Sequence, residues 1–70
     1  MKMVINNLGK IIKNSPFNRP YIEKYIGVSR NTLSNWCTGR SYPTIPQLLK
    51  LCKLLNVKVE DLYKLREEEN

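Results

Sequence analysis

The chain has 70 residues, with 12 Lys and Arg against 6 Asp and Glu, no His, two Cys and a formal net charge of +6. So short a chain makes one small domain that buries only about 60% of its unfolded surface, which leaves no room for a separate catalytic or ligand-sensing unit. The basic excess points to a polyanionic partner, nucleic acid before membrane, although charge alone does not distinguish that from a merely soluble basic protein.

In chain order, Val4, Leu8 and Ile11 follow i, i+4, i+7, with Ile5 and Ile12 widening the stripe, and predict an amphipathic first helix. Lys2, Lys10 and Lys13 lie off the stripe, in solvent or near phosphate. Met1 to Lys13 is neither a signal-peptide core nor a membrane span, so the expectation is a cytoplasmic protein with reduced thiols. Asn14-Ser15-Pro16 ends the helix, because the residue before proline avoids the α region. Phe17 reads as a core plug and Asn18 as the N-cap of a second helix. Pro20 is harmless in its first turn, where the missing N–H would be unpaired anyway. Ile22 and Ile26 share one face of that helix.

Gly27-Val28-Ser29 breaks the pattern: Gly27 can take the left-handed conformation that ends a helix, and Ser29 can cap the next. In the third helix, from about Arg30 to Cys37, Leu33 and Trp36 point inward and leave Arg30, Asn31, Ser34 and Asn35 outside. Gly39 closes it, and Ser41-Tyr42-Pro43 is a short loop. Thr44 caps a fourth helix with Pro46 just inside, and Leu48, Leu49, Leu51, Leu54 and Leu55 supply its apolar face until Asn56. Val57-Lys58-Val59 alternates too briefly to stand as a strand. It reads as the loop into a fifth helix, where Glu60 and Asp61 favour the positive N-terminal end and Leu62 and Leu65 continue the apolar face. Residues 1–66 are expected to form one domain, and 67–70 a charged, frayed tail.

The segment GVSRNTLSNWCTGRSYP, with the helices on either side, resembles the helix-turn-helix of the lambda-repressor-like family, also called the xenobiotic-response-element type, which includes the Cro repressors. The likeness covers roughly Val4 to Leu62, and its Gly-Val-Ser turn, its Trp, its Gly-Arg exit and the Leu-rich helix that follows fall at family spacing. The resemblance implies an all-α fold, a compact bundle of about five short helices with the helix-turn-helix over about 19–37. One position departs: Glu23 stands where the family has a small residue, and a carboxylate there must bend outward or find a partner.

A recognition helix works by pointing its first turns at base edges. Arg30 can fork onto a guanine and Asn31 can bridge the two major-groove groups of an adenine. Ser34 faces the same groove and Asn35 extends the set; the resemblance assigns base contact to the same four positions. Thr32 suits a phosphate or a thymine methyl. Phosphate donors are expected on either side: Asn18 and Arg19 at a helix N-terminus, then Thr38, Arg40, Ser41 and Tyr42. Lys10 and Lys13 are weaker candidates. The blander reading of each is a solvated polar face.

The partner so implied is double-stranded DNA, as a palindromic operator bound by a homodimer that forms at least on DNA, with Leu62, Tyr63 and Leu65 as candidate dimer contacts. The function expected is that of a sequence-specific transcriptional regulator, a small Cro-like repressor of prophage or mobile-element type. The alternative is a protein-interaction module, such as an antitoxin or anti-repressor partner, acting through residues 44–65. An enzyme is not expected. There is no His, no Gly-rich phosphate loop and no base positioned beside Cys37 or Cys52, and two thiolates supply at most half of a structural zinc site. No cofactor, metal or small-molecule substrate is therefore expected.

Overall fold

In a computed structural model of the chain, which describes residues 2–67, each of the three central helices starts at a side-chain cap and ends at a left-handed residue. α2 (Arg19–Ile26) begins where Asn18 accepts the Tyr21 N–H at 2.9 Å and ends at Gly27, φ 88°. α3 (Arg30–Thr38) begins at Ser29, which accepts the Thr32 N–H at 3.1 Å, and ends at Gly39, φ 81°. α4 (Ile45–Leu55) opens with a reciprocal Thr44–Gln47 capping box and ends at Asn56, φ 56°. These starts and stops are the ones the sequence predicts. A short first helix, α1 (Leu8–Asn14), precedes them and a single turn, α5 (Val59–Leu62), follows; there the Asp61 carboxylate accepts the Lys58 N–H at 2.9 Å.

The two chain ends depart from expectation. Residues expected to start the first helix form a strand, β1 (Lys2–Asn6), and those expected to prolong the fifth helix form β2 (Tyr63–Glu67). The strands pair antiparallel, with Val4 opposite Leu65 and Asn6 opposite Tyr63. Val4 and Ile5 fit a helical stripe, but they are also β-branched and pack well on a pleated surface. The partner that decides between the two lies at the far end of the chain. Glu67 belongs to β2, and the rest of the charged tail expected over 67–70 lies outside the described residues.

The core is a single cluster of Leu8, Ile12, Ile22, Ile26, Leu33, Trp36, Leu51 and Leu62, with Phe17, Leu48, Leu54, Leu55 and both cysteines packed partly buried against it. Leu62, expected at a dimer contact, is fully buried in the monomer's own core and so is closed to a partner. On α4 the apolar face is narrower than expected, since Leu49 is 56% exposed and shares the outer side with Ile45 at 68%. α1 approaches α3 closely at Gly9, where an added Cβ would meet the Cys37 Cβ at 3.4 Å. The ribbon is tied to the helices at its base: the Asn7 N–H donates to the Leu62 carbonyl at 2.8 Å, and the Asn6 amide donates to the Trp36 carbonyl at 2.8 Å.

Candidate nucleic-acid interface

The α2–turn–α3 unit is held by local chemistry that leaves one face of α3 free. Past Ile26, Gly27 takes the left-handed conformation, and the Glu23 carbonyl accepts both the Gly27 N–H at 2.8 Å and the Val28 N–H at 3.0 Å. The chain then re-enters a helix at Ser29. Leu33 is 0% and Trp36 2% exposed, so the rotation of α3 about its axis is set from inside. Its C-terminal end is closed by Arg40 N–H donating to the Asn35 carbonyl at 2.9 Å, and by the Asn6 amide on the Trp36 carbonyl.

With α3 so turned, Arg30 and Asn31 are exposed and Ser34 is half-buried. These three line one open cleft of about 380 Å³ with Arg19, Pro20 and Glu23 of α2. Three of the four expected base-reading residues thus come together. Asn35 does not line this cleft; it is half-buried further along the helix, where its carbonyl serves the helix exit.

A second open cleft, of about 450 Å³, is lined by Lys13 and Gly9 of α1, by Phe17, Asn18 and Arg19 at the start of α2, and by Cys37 and Thr38 at the end of α3. It gathers three of the expected phosphate donors around the N-terminus of α2, where unpaired N–H groups and the helix dipole favour an anion. Lys13, a weak candidate on sequence, joins them because α1 ends beside α2. Arg19 lines both clefts and stands between the expected base-reading residues and the expected phosphate donors.

Other expected donors are differently placed. The Thr38 hydroxyl donates back to the Ser34 and Asn35 carbonyls at 3.1 and 3.2 Å, so it must give up those bonds to donate to a phosphate. Thr32 shares its hydroxyl with Ser29 at 3.0 Å and acts in the cap. Arg40 is exposed and Ser41 half-buried in the loop after α3. Tyr42 instead packs edge-on against Tyr63, ring centroids 5.6 Å apart, and helps line an apolar cleft of about 230 Å³ with Val4, Pro43 and Leu48. Tyr63 is half-buried and Leu65 70% exposed.

Asn6 was not legible as part of the site. It lies in a stretch whose spacing suits a helix, and its amide reaches α3 from 30 residues away. Burial pushes the Cys37 thiol up, partly offset by the Arg19 charge, and burial with the Asp61 carboxylate pushes Cys52 up. Both are therefore held as thiols rather than as the thiolates that nucleophilic work needs. No group of three or more His, Cys, Asp or Glu side chains stands together among the described residues. No helix among them is long and apolar enough to cross a membrane.

Comparison with known proteins points the same way. A family model described as helix-turn-helix matches residues 21–62. The fold is similar to the crystal structure of a candidate DNA-binding protein from Bacteroides fragilis, with a TM-score of 0.79 at 29% identity, over 89% of this chain and 100% of that one. No curated protein matches the chain.

Proposed function

The chain belongs to the lambda-repressor-like helix-turn-helix family, and from that premise we propose that it is a sequence-specific double-stranded-DNA-binding regulator of transcription, a small Cro-like repressor of prophage or mobile-element type. The observation that carries the reading is that Arg30 and Asn31, both exposed, and the half-buried Ser34 line one cleft on a helix whose rotation Leu33 and Trp36 set from the core. In this reading α3 enters the major groove. The Arg30 guanidinium donates to guanine O6 and N7, the Asn31 amide pairs with adenine N6 and N7, and Ser34 extends the contact one turn on. Lys13, Asn18 and Arg19 receive a phosphate at the start of α2, and Arg40 and Ser41 reach the backbone beyond α3. The work is done by occupancy of DNA, without a chemical step.

One module of this size covers only roughly 600–1,000 Å² of protein surface on DNA, which favours a homodimer on a palindromic operator. Its contacts come from the ribbon, where Leu65 and Val4 face each other and are 70% and 47% exposed. A lone two-stranded ribbon is marginal in water and keeps both edges open, so a second copy would complete it.

The exposed Ile45 and Leu49 pair on α4 favours a second reading, a protein-interaction module such as an antitoxin or anti-repressor partner. Selection of bound fragments from a randomised duplex pool near physiological salt separates the two. The DNA reading expects an enriched palindrome with half-sites about 10 bp apart, and affinity that falls with salt by about 0.9 log units per tenfold for each phosphate neutralised. An unenriched pool, with activity unchanged when Arg30 and Asn31 are both replaced by Ala, would leave the protein-partner reading.

A further inference from the structure

The cleft between α2 and α3 holds a charge at odds with a polyanion. Of the six residues that line it, Glu23 alone is acidic. As DNA closes on this face, a carboxylate there meets the phosphates as a like charge, so it is tolerated only if a cation answers it. Glu23 is half-buried, and its backbone carbonyl is fixed by the Gly27 and Val28 N–H groups that shape the turn. Its Cα is therefore set by the same bonds that set the entry into α3. Two guanidiniums share the cleft. Arg19 lies four residues before Glu23 on α2, the less favourable order for a helical ion pair, and also lines the phosphate cleft. Arg30 lines the same cleft from the first position of α3.

We propose that Glu23 is a positioning residue for base recognition. When DNA closes the cleft, its carboxylate accepts hydrogen bonds from one edge of the Arg30 guanidinium and turns the other edge toward the groove floor. This inference rests on α3 being the recognition helix. The chemistry suits the task, because a guanidinium carries five N–H donors in a rigid fork. One edge can sit on a carboxylate while the other still meets guanine O6 and N7. An untethered Arg30 on the same helix would be free to swing to the nearest phosphate, which carries no sequence information. Glu23 thereby exchanges a little non-specific affinity for discrimination at one base pair.

The test is the randomised-duplex selection, run on the wild type and on Glu23→Gln and Glu23→Ala, with thermal melts by circular dichroism to show that each variant folds. E23A places a small residue at the position and guards against failure of E23Q. The wild type is expected to select guanine at the Arg30 position. Both variants are expected to lose at least about fivefold of that preference, the low end of what one bidentate pair supplies. They should also bind a scrambled duplex more tightly, with a salt slope steeper by up to about 0.9 as the freed guanidinium takes a phosphate. In an Arg30→Ala background E23Q should change the selected motif no further, since the two residues act as one unit. An unchanged motif in E23Q and E23A, or an equal change with and without Arg30, overturns the proposal and leaves the DNA reading intact. A wild type that selects no motif overturns both.

Discussion

Gly27 offers the cleanest measurement of what the turn contributes. It sits at φ 88°, and a Cβ built on it meets nothing within 4 Å. Replacement by Ala is therefore a backbone perturbation free of steric clash. An L-residue in the left-handed region costs about 1–2 kcal/mol, while Ala recovers about 0.4–1 kcal/mol by narrowing the unfolded ensemble. The net loss expected is about 1 kcal/mol, or about 4–8 °C in Tm for a domain of this size. Asn tolerates the left-handed region through its short polar side chain, as Asn56 does here at φ 56°, so Gly27→Asn should lose clearly less than Gly27→Ala. The assay is thermal and urea denaturation of the three proteins followed by circular dichroism. If Gly27→Ala melts with the wild type, or if Asn and Ala are equally damaging, the left-handed conformation is not what the glycine supplies and the reasoning fails.

Other sites give outcomes of different kinds. Trp36→Ala removes the largest buried side chain that anchors α3 and should cost about 3–5 kcal/mol, a large share of the total stability of so small a chain; calorimetry should find the cooperative transition weakened or gone. The Tyr63 hydroxyl is buried with no hydrogen-bond partner among the described residues, and burial, with the Cys37 and Tyr42 groups nearby, pushes its pKa up to about 12 from the ordinary tyrosine value of 10.0. The folded state thus holds this proton more tightly than the unfolded chain. Its contribution is whole below pH 10.0 and is lost as pH rises toward about 12. Tyr63→Phe should remove that part of the alkaline decline without lowering neutral-pH stability, and denaturant melts of both proteins across the range check it. Leu65→Lys, at a position 70% exposed, should leave the monomer's melting temperature within a few degrees yet abolish the second copy on DNA in sedimentation; an unchanged dimer would remove the ribbon from the interface.

What could be read from the residues alone divides by range. The caps at Asn18, Ser29 and Thr44, and the left-handed exits at Gly27, Gly39 and Asn56, act on backbone within a few residues, and each was legible. The inward turn of Leu33 and Trp36 follows from the helical period, and so does the outward turn of Arg30 and Asn31. The ribbon is another matter. Val4 satisfies both a helical stripe and a strand, and Leu65, which pairs with it, is 61 residues later; no local window contains both. Asn6 was hidden for the same reason. α4 is a simpler case: its five leucines suggest one face, although a turn of about 100° per residue sends Leu49 out beside Ile45 and leaves Leu48, Leu51 and Leu55 inward.

The residues that orient α3 are separate from those that line its cleft, and this separation governs how binding preference can change. The groups that orient α3, namely Leu33, Trp36, the Ser29 cap and the Asn6 amide, have no place in the cleft where bases would be read. Arg30 and Asn31 line that cleft and are exposed, and exposed substitutions usually alter stability by no more than about 0.5 kcal/mol. A bidentate base contact is worth about 1–3 kcal/mol of discrimination. Substitution at these two positions should therefore move sequence preference several times further than it moves stability. Glu23 is the exception, because its backbone belongs to the turn and its side chain to the cleft. A change of side chain there leaves the Gly27 and Val28 bonds in place while altering the charge in the cleft that Arg30 also lines, so its effect belongs in the selected motif and not in the melting curve.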